Sequence, residues 1–197
     1  HVIPPDGPWG PKYGRIPSPD PNGAWKFDPP IKRLEDIDLV ADIQHVIDEK
    51  TTRQNYDRIS SAIGDIIPIH ISRAPFWRHW RGDISTDLAN LRGLEQAMWD
   101  MAENPEWLHR LVGKMSEGIQ RVQAQGEAAG HWHLCDHTNQ AMPYSKELAD
   151  PKPEGPAVTR DKLWTYFAAQ EMTQVSPAMH EEFILNYQLP IMKHFGL

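Results

Sequence analysis

Apolar residues return every three or four positions over long parts of this chain. The longest such run begins at Pro105, where Trp107, Leu108, Leu111, Val112, Met115 and Ile119 recur with helical spacing and predict a helix reaching about Glu127. Asn104 is placed to cap it, and Pro105 occupies the first helical position, where a missing N–H costs nothing. Tyr56, Ile59 and Ile63 give residues 48–64 one apolar face, closed by Gly64. Leu88, Leu91, Leu94 and Met98 continue the pattern. Residues 163–172 read as a further helix. Ser176 and Pro177 open another, which Phe183, Ile184, Tyr187, Leu189 and Ile191 carry forward and Pro190 bends.

Two stretches leave this period. Residues 66–71, IIPIHI, are almost continuously apolar and read as a covered parallel strand, with Pro68 as an objection. After Gly130, residues 132–136, WHLCD, read as a second strand. Two strands separated by a long helical crossover imply parallel pairing on the right-handed path. That order places the chain in the α/β class, doubly wound or barrel. A complete barrel takes about 250 residues, and this chain has 197. It starts at His1 and stops at Phe195-Gly196-Leu197, where another strand is due. The expectation is therefore part of a TIM-type (β/α)8 barrel truncated at both ends. Residues 1–33 form a Pro/Gly-rich arm, and residues 34–197 form the partial barrel. PPDGPWGP and PSPDPNG exclude long helices and central strands from the arm. Trp9, Tyr13, Trp25 and Phe27 suggest that it lies on a surface.

Charge and cysteine usage narrow the function classes. The formal net charge of −7 argues against nucleic acid and anionic membranes as partners. A single cysteine excludes an intrachain disulfide framework and fits a reducing compartment. No apolar run is long enough to span a bilayer, so the expected setting is cytoplasmic.

The chemistry concentrates in two segments. GHWHLCDH, residues 130–137, places His131, His133, Cys135 and His137 at two-residue steps, on one side if the segment is a strand. His133 and Cys135 are candidate metal ligands, with zinc the fitting ion and His70, His79 or His180 completing the set. The alternative is that they pack at a rim. Asp136, at a strand's C-terminal end, is the candidate acid or base, with His137 as its proton-sharing neighbour. It could equally cap residues 138–140. Asn139 and Gln140 add neutral donors. In the second segment Arg73, Arg78 and Arg81 surround Phe76 and Trp77, a combination that suits an acidic or aromatic substrate. Their alternative is ion pairing with Asp83, Asp87 or neighbouring chains. Glu171 and Gln170 are secondary candidates, and Trp99, Trp107 and Trp164 read as packing residues.

GDIIPIHISRAPFW, LRGLEQAMWDMAENPEWLHRL and above all VSPAMHEEFILNYQLPIMKHFGL resemble the uroporphyrinogen decarboxylase-like superfamily. That group joins uroporphyrinogen decarboxylase with methyltransferases that use corrinoids or coenzyme M. The resemblance runs from about Trp25 to Leu197. It implies a barrel with a pocket at the strand ends, Asp136 at the family's acidic position, and Ser176-Pro177 at its helix-opening pair. ISRAPFW departs from the small-residue loop of the decarboxylases, and their N-terminal arginine motif is missing. His133-Leu134-Cys135 has the spacing of the family's zinc pair but not its place, so that role is not carried over. The implied activity is methyl transfer or demethylation of a small methylated or acidic substrate, with a corrinoid-bearing partner protein as acceptor or donor. No covalently bound cofactor is expected. The alternatives are cofactor-free decarboxylation of a tetrapyrrole, or a non-catalytic barrel fragment. The fragment would assemble with itself, as a homo-oligomer, or with a partner polypeptide.

Overall fold

The computed structural model describes residues 1–138, 145–152 and 154–197. Its elements are β1 (Gly14–Ile16), β2 (Lys26–Asp28), α1 (Glu49–Ile63), α2 (Ser85–Arg92), α3 (Leu94–Glu103), α4 (Pro105–Ala128), α5 (Pro177–His180) and α6 (Asn186–Met192). A wide π turn, Glu181–Leu185, joins the last two.

α4 is the axis of the molecule. Leu108, Leu111, Val112, Met115, Ile119 and Val122 are fully buried along one stripe, the pattern of a helix packed on one side. α3 and α6 lie against it. Trp9 from the arm, Ile43 and Trp77 fill the far end of the same core. The arm is held by the Ala41 N–H, which donates to the Trp9 carbonyl (2.8 Å), and by the Trp9 indole N–H, which donates to Asp87 (2.6 Å). Gly93, with φ of +88°, makes the corner between α2 and α3, a conformation that a side chain disfavours. Arg92 locks that corner through Asp100 (2.6 Å) and the carbonyls of Ile31 and Lys32.

The barrel expectation is overturned. The described residues are about 48% helical with 3% strand, and the sheet among them is one antiparallel pair, β1 with β2, in register Arg15 opposite Phe27. Both strands lie in the arm. Ile66 and Ile67 belong to the turn after α1, their N–H groups donating to the Ile63 carbonyl (2.9 Å each); they are 73% and 55% exposed, and residues 68–71 join no strand. An apolar run becomes a strand only when a partner ladder takes up its backbone groups, and here none does. The expected second strand is broken from within. The Asp136 N–H donates to the His133 carbonyl (2.9 Å) and the Asp136 carboxylate accepts the His133 N–H (2.9 Å), closing a tight turn over Leu134–Asp136. A short polar side chain competing for local backbone groups disrupts a strand in this way. The expected helix over 163–172 is a loop with a single turn at Gln170–Met172.

Candidate functional site

The loop 70–78 and the turn 131–137 meet on α4. Ala74, Trp132 and Leu163 form a small buried cluster between them. Gly126 makes the approach possible, because a Cβ there would stand 2.6 Å from the Pro75 ring. The junction is completed by Asp136, 2% exposed. One of its oxygens accepts the Ser72 hydroxyl (2.6 Å) and faces the Arg78 guanidinium (3.4 Å). The other accepts the His133 N–H (2.9 Å). A buried carboxylate with two hydrogen-bond donors and one facing cation is a fixed anchor, with a partner on each oxygen.

The four residues that a strand would place on one side point to four different partners. His131 Nδ1 meets His45 Nε2 at 2.8 Å. Burial holds both imidazoles below their ordinary range, and His45 is lowered further by His131. The His133 ring lies by Asp136, with Nδ1 buried, unpartnered and 3.9 Å from the carboxylate. Cys135 Sγ meets His70 Nε2 at 3.1 Å. Burial, then the neighbouring Asp136, pushes the thiol up, so the S–H donates and the imidazole accepts. His137 stacks on Trp164 at 3.6 Å. Its Nδ1 accepts the Trp164 N–H (3.1 Å), which puts its proton on Nε2, donated to the Ala149 carbonyl (3.0 Å). Burial lowers its pKa. With both nitrogens occupied, His137 is held as a neutral ring.

Among the described residues no three His, Cys, Asp or Glu side chains gather where they could hold a metal ion. Cys135 and His133 both lie by His70, Cys135 Sγ at 3.1 Å from its Nε2 and the His133 ring edge-on to it at 6.1 Å. Asn139 lies outside the described residues.

The arginine loop separates in the same manner. Arg73 makes a bidentate pair with Glu49 (2.8 and 2.9 Å). Arg81 binds Asp87 (2.9 Å) and covers the Phe76 ring. Arg78, with 29% of its side chain exposed, keeps donors beyond its Asp136 contact. Trp77 is 1% exposed and belongs to the core, edge-on to Trp9. Phe76 packs partly buried on Trp77. Sequence reasoning missed Ser72, Glu49 and His45. The Arg73–Glu49 contact spans 24 positions, and no periodic signal marks it. The 600 Å³ cavity at the first turn of α4, lined by Glu103 to Trp107 and Arg110, contains none of the junction's residues.

Comparison of the chain with protein-family models, curated proteins and solved structures finds no match. Among the described residues no helix is long and apolar enough to cross a membrane.

Proposed function

We propose that the chain carries the substrate-handling region of a methyl-transfer or demethylation enzyme related to the uroporphyrinogen decarboxylase-like superfamily. Its substrate is a small methylated acid, and a corrinoid-bearing partner protein exchanges the methyl group. The observation that supports this reading is the junction itself. Asp136 ties together 70–78 and 131–137, the former within one of the stretches that carry the resemblance and the latter bearing its acidic position. The reading rests on those motifs and this junction, because the helical framework is not a barrel.

Arg78 is the group for the substrate carboxylate. A guanidinium with spare donors at a partly exposed site binds a carboxylate in a fixed orientation. His133 shares Asp136 with it: its Nδ1 is buried 3.9 Å from the carboxylate, its side chain is 25% exposed, and its other ring nitrogen supplies the proton to the heteroatom that loses its methyl group. Asp136 positions both and touches no substrate. Two of the three loop arginines already neutralise Glu49 and Asp87. One guanidinium suits a substrate with one carboxylate, which favours a small acid over a tetra-acid porphyrinogen.

Calorimetric titration of small methylated carboxylic acids into the wild type and Arg78→Met tests this. One class of acid binds the wild type, and affinity falls about 10- to 150-fold in the variant, the worth of a hydrogen bond to a charged group. Binding that ignores the substitution, or no binding across the panel, rejects the assignment.

A further inference from the structure

Three carboxylates meet at the start of α2, away from the junction. Asp87 gives both oxygens to donors, Trp9 and Arg81. Glu171 does the same, accepting the hydroxyls of Ser85 and Thr86 (2.8 Å each). Asp83 is different. It is completely buried, one oxygen has only a long contact from the Thr86 N–H (3.4 Å), and Oδ2 has no partner. One free carboxylate oxygen inside an acidic group of three is no cage for a metal ion, which needs several donors. It is a place for a single proton, because an unpaired buried carboxylate is far costlier than a neutral carboxyl.

The surroundings turn that proton into a mechanical element. Ser85 and Thr86 hold Glu171, Ser85 also reaches the Ala168 carbonyl (3.0 Å), and Gln188 of α6 donates to the carbonyls of both Asp83 (2.6 Å) and Ala168 (2.9 Å). Residues 168–172 are thus fastened to Ser85 and Thr86 at the start of α2, and Gln188 ties them to the Asp83 main chain, with the Asp83 carboxyl beside the Glu171 charge. The residue after Asp83, Ile84, has φ of +70°, a region that β-branched side chains rarely occupy. A strained hinge adjoins the buried acid. The charged groups that act on Asp83 are Glu171 from the 170–172 turn and Asp87 on α2, and Arg81 from the 79–81 turn pairs with Asp87. Tyr13 reaches the Asp87–Arg81 pair from the arm.

We infer that this junction is a proton-linked clasp: one proton on Asp83 fastens residues 168–172 to α2, and its release loosens them. Burial, then the charges of Glu171 and Asp87, raises the Asp83 carboxyl to about 8. In the open state the same group is hydrated and returns to its ordinary value near ~4. Opening therefore releases a proton, and the open fraction grows about tenfold per pH unit until the closed form itself ionises.

Hydrogen exchange of the Met172 amide, bonded to the Ala169 carbonyl when the clasp is closed, reads the opening directly. In the regime where reclosing outpaces exchange, hydroxide catalysis alone raises the rate about tenfold per pH unit. Between pH 6 and 8 the wild-type rate rises about a hundredfold per unit, because opening adds its own factor of about ten. Met172 in Asp83→Asn, which mimics the protonated acid, rises only about tenfold. A wild-type slope of only tenfold, or a hundredfold slope retained in Asp83→Asn, overturns the clasp. Should that variant fail to fold, Glu171→Gln removes a neighbouring charge and moves the upper end of the steep window below about 8. An unmoved limit rejects the coupling.

Discussion

Replacing Asp136 tests the junction that organises the candidate site. Asp136→Asn keeps one oxygen and exchanges the other for an amide. The oxygen can hold the His133 N–H, now bonded at 2.9 Å. The amide then faces Ser72, which can rotate to accept, and Arg78, which cannot. The variant loses one charge-assisted contact, and Arg78 loses its pairing. A hydrogen bond to a charged group contributes about 1.5–3 kcal/mol, and the 29% exposure of Arg78 places this loss toward the lower end. Asp136→Ala also strands the His133 N–H and the Ser72 hydroxyl, so its loss rises to about 3–5 kcal/mol, as for breaking a buried pair. Urea unfolding of the wild type, Asp136→Asn, Asp136→Ala, Ser72→Ala and the variant combining Asp136→Ala with Ser72→Ala measures this. The double variant should fall short of the sum of the singles, because the two side chains share one bond. An alanine loss below about 0.5 kcal/mol, within the range of ordinary surface substitutions, would refute the anchor role.

Further outcomes follow from the same geometry. Gly126→Ala drives a methyl group against the Pro75 ring and should destabilise by about 1–3 kcal/mol in chemical denaturation, with the loop 70–78 exchanging faster. Arg92→Met leaves Asp100 buried without its cation and should lower stability by about 3–5 kcal/mol. Asp83 and Asp87 are raised to about 8 and about 6, mainly by burial. Above the ordinary carboxyl value of about 4 the folded chain holds protons there that the unfolded chain releases. The lowered histidines act in the opposite sense below pH 7, so melting temperature should fall from pH 7 to pH 8 and then level, and a rise over that window contradicts the Asp83 assignment. Cys135, with its thiol pushed up, should react with iodoacetamide at pH 8 more slowly than free glutathione.

Local signals were legible where local forces decide. The apolar stripe from Trp107 to Ile119 and the proline at 105 define α4 as expected. Ser176 caps α5 with its hydroxyl on the Met179 N–H (3.2 Å). Asn104 does precede α4, yet its amide bonds Asp100 instead of capping. The strands were not legible, because an apolar run reads the same whether or not a distant partner takes up its ladder. At 131–137 the deciding contact is the Asp136 side chain accepting the His133 N–H. It scatters the four alternating residues that pattern reasoning had placed on one face. The aromatic loop misled for a related reason. Phe76 and Trp77 beside arginines look alike in sequence whether they face a ligand or the core, and Trp77 faces the core. What remained visible was that 70–78 and 131–137 carry the unusual chemistry. Asp136 and Arg78, both singled out from sequence, stand together at their meeting point.

The central claim is that this meeting point handles a small methylated acid. The most direct measurement is methyl transfer from a panel of such acids to a reduced corrinoid, followed by its absorbance change, for the wild type and Arg78→Met. The account predicts transfer by the wild type from at least one acid, with KM raised about 10- to 150-fold in the variant and kcat little changed, the signature of lost substrate binding. Absence of transfer from every acid, or transfer with the same KM in both proteins, would contradict it.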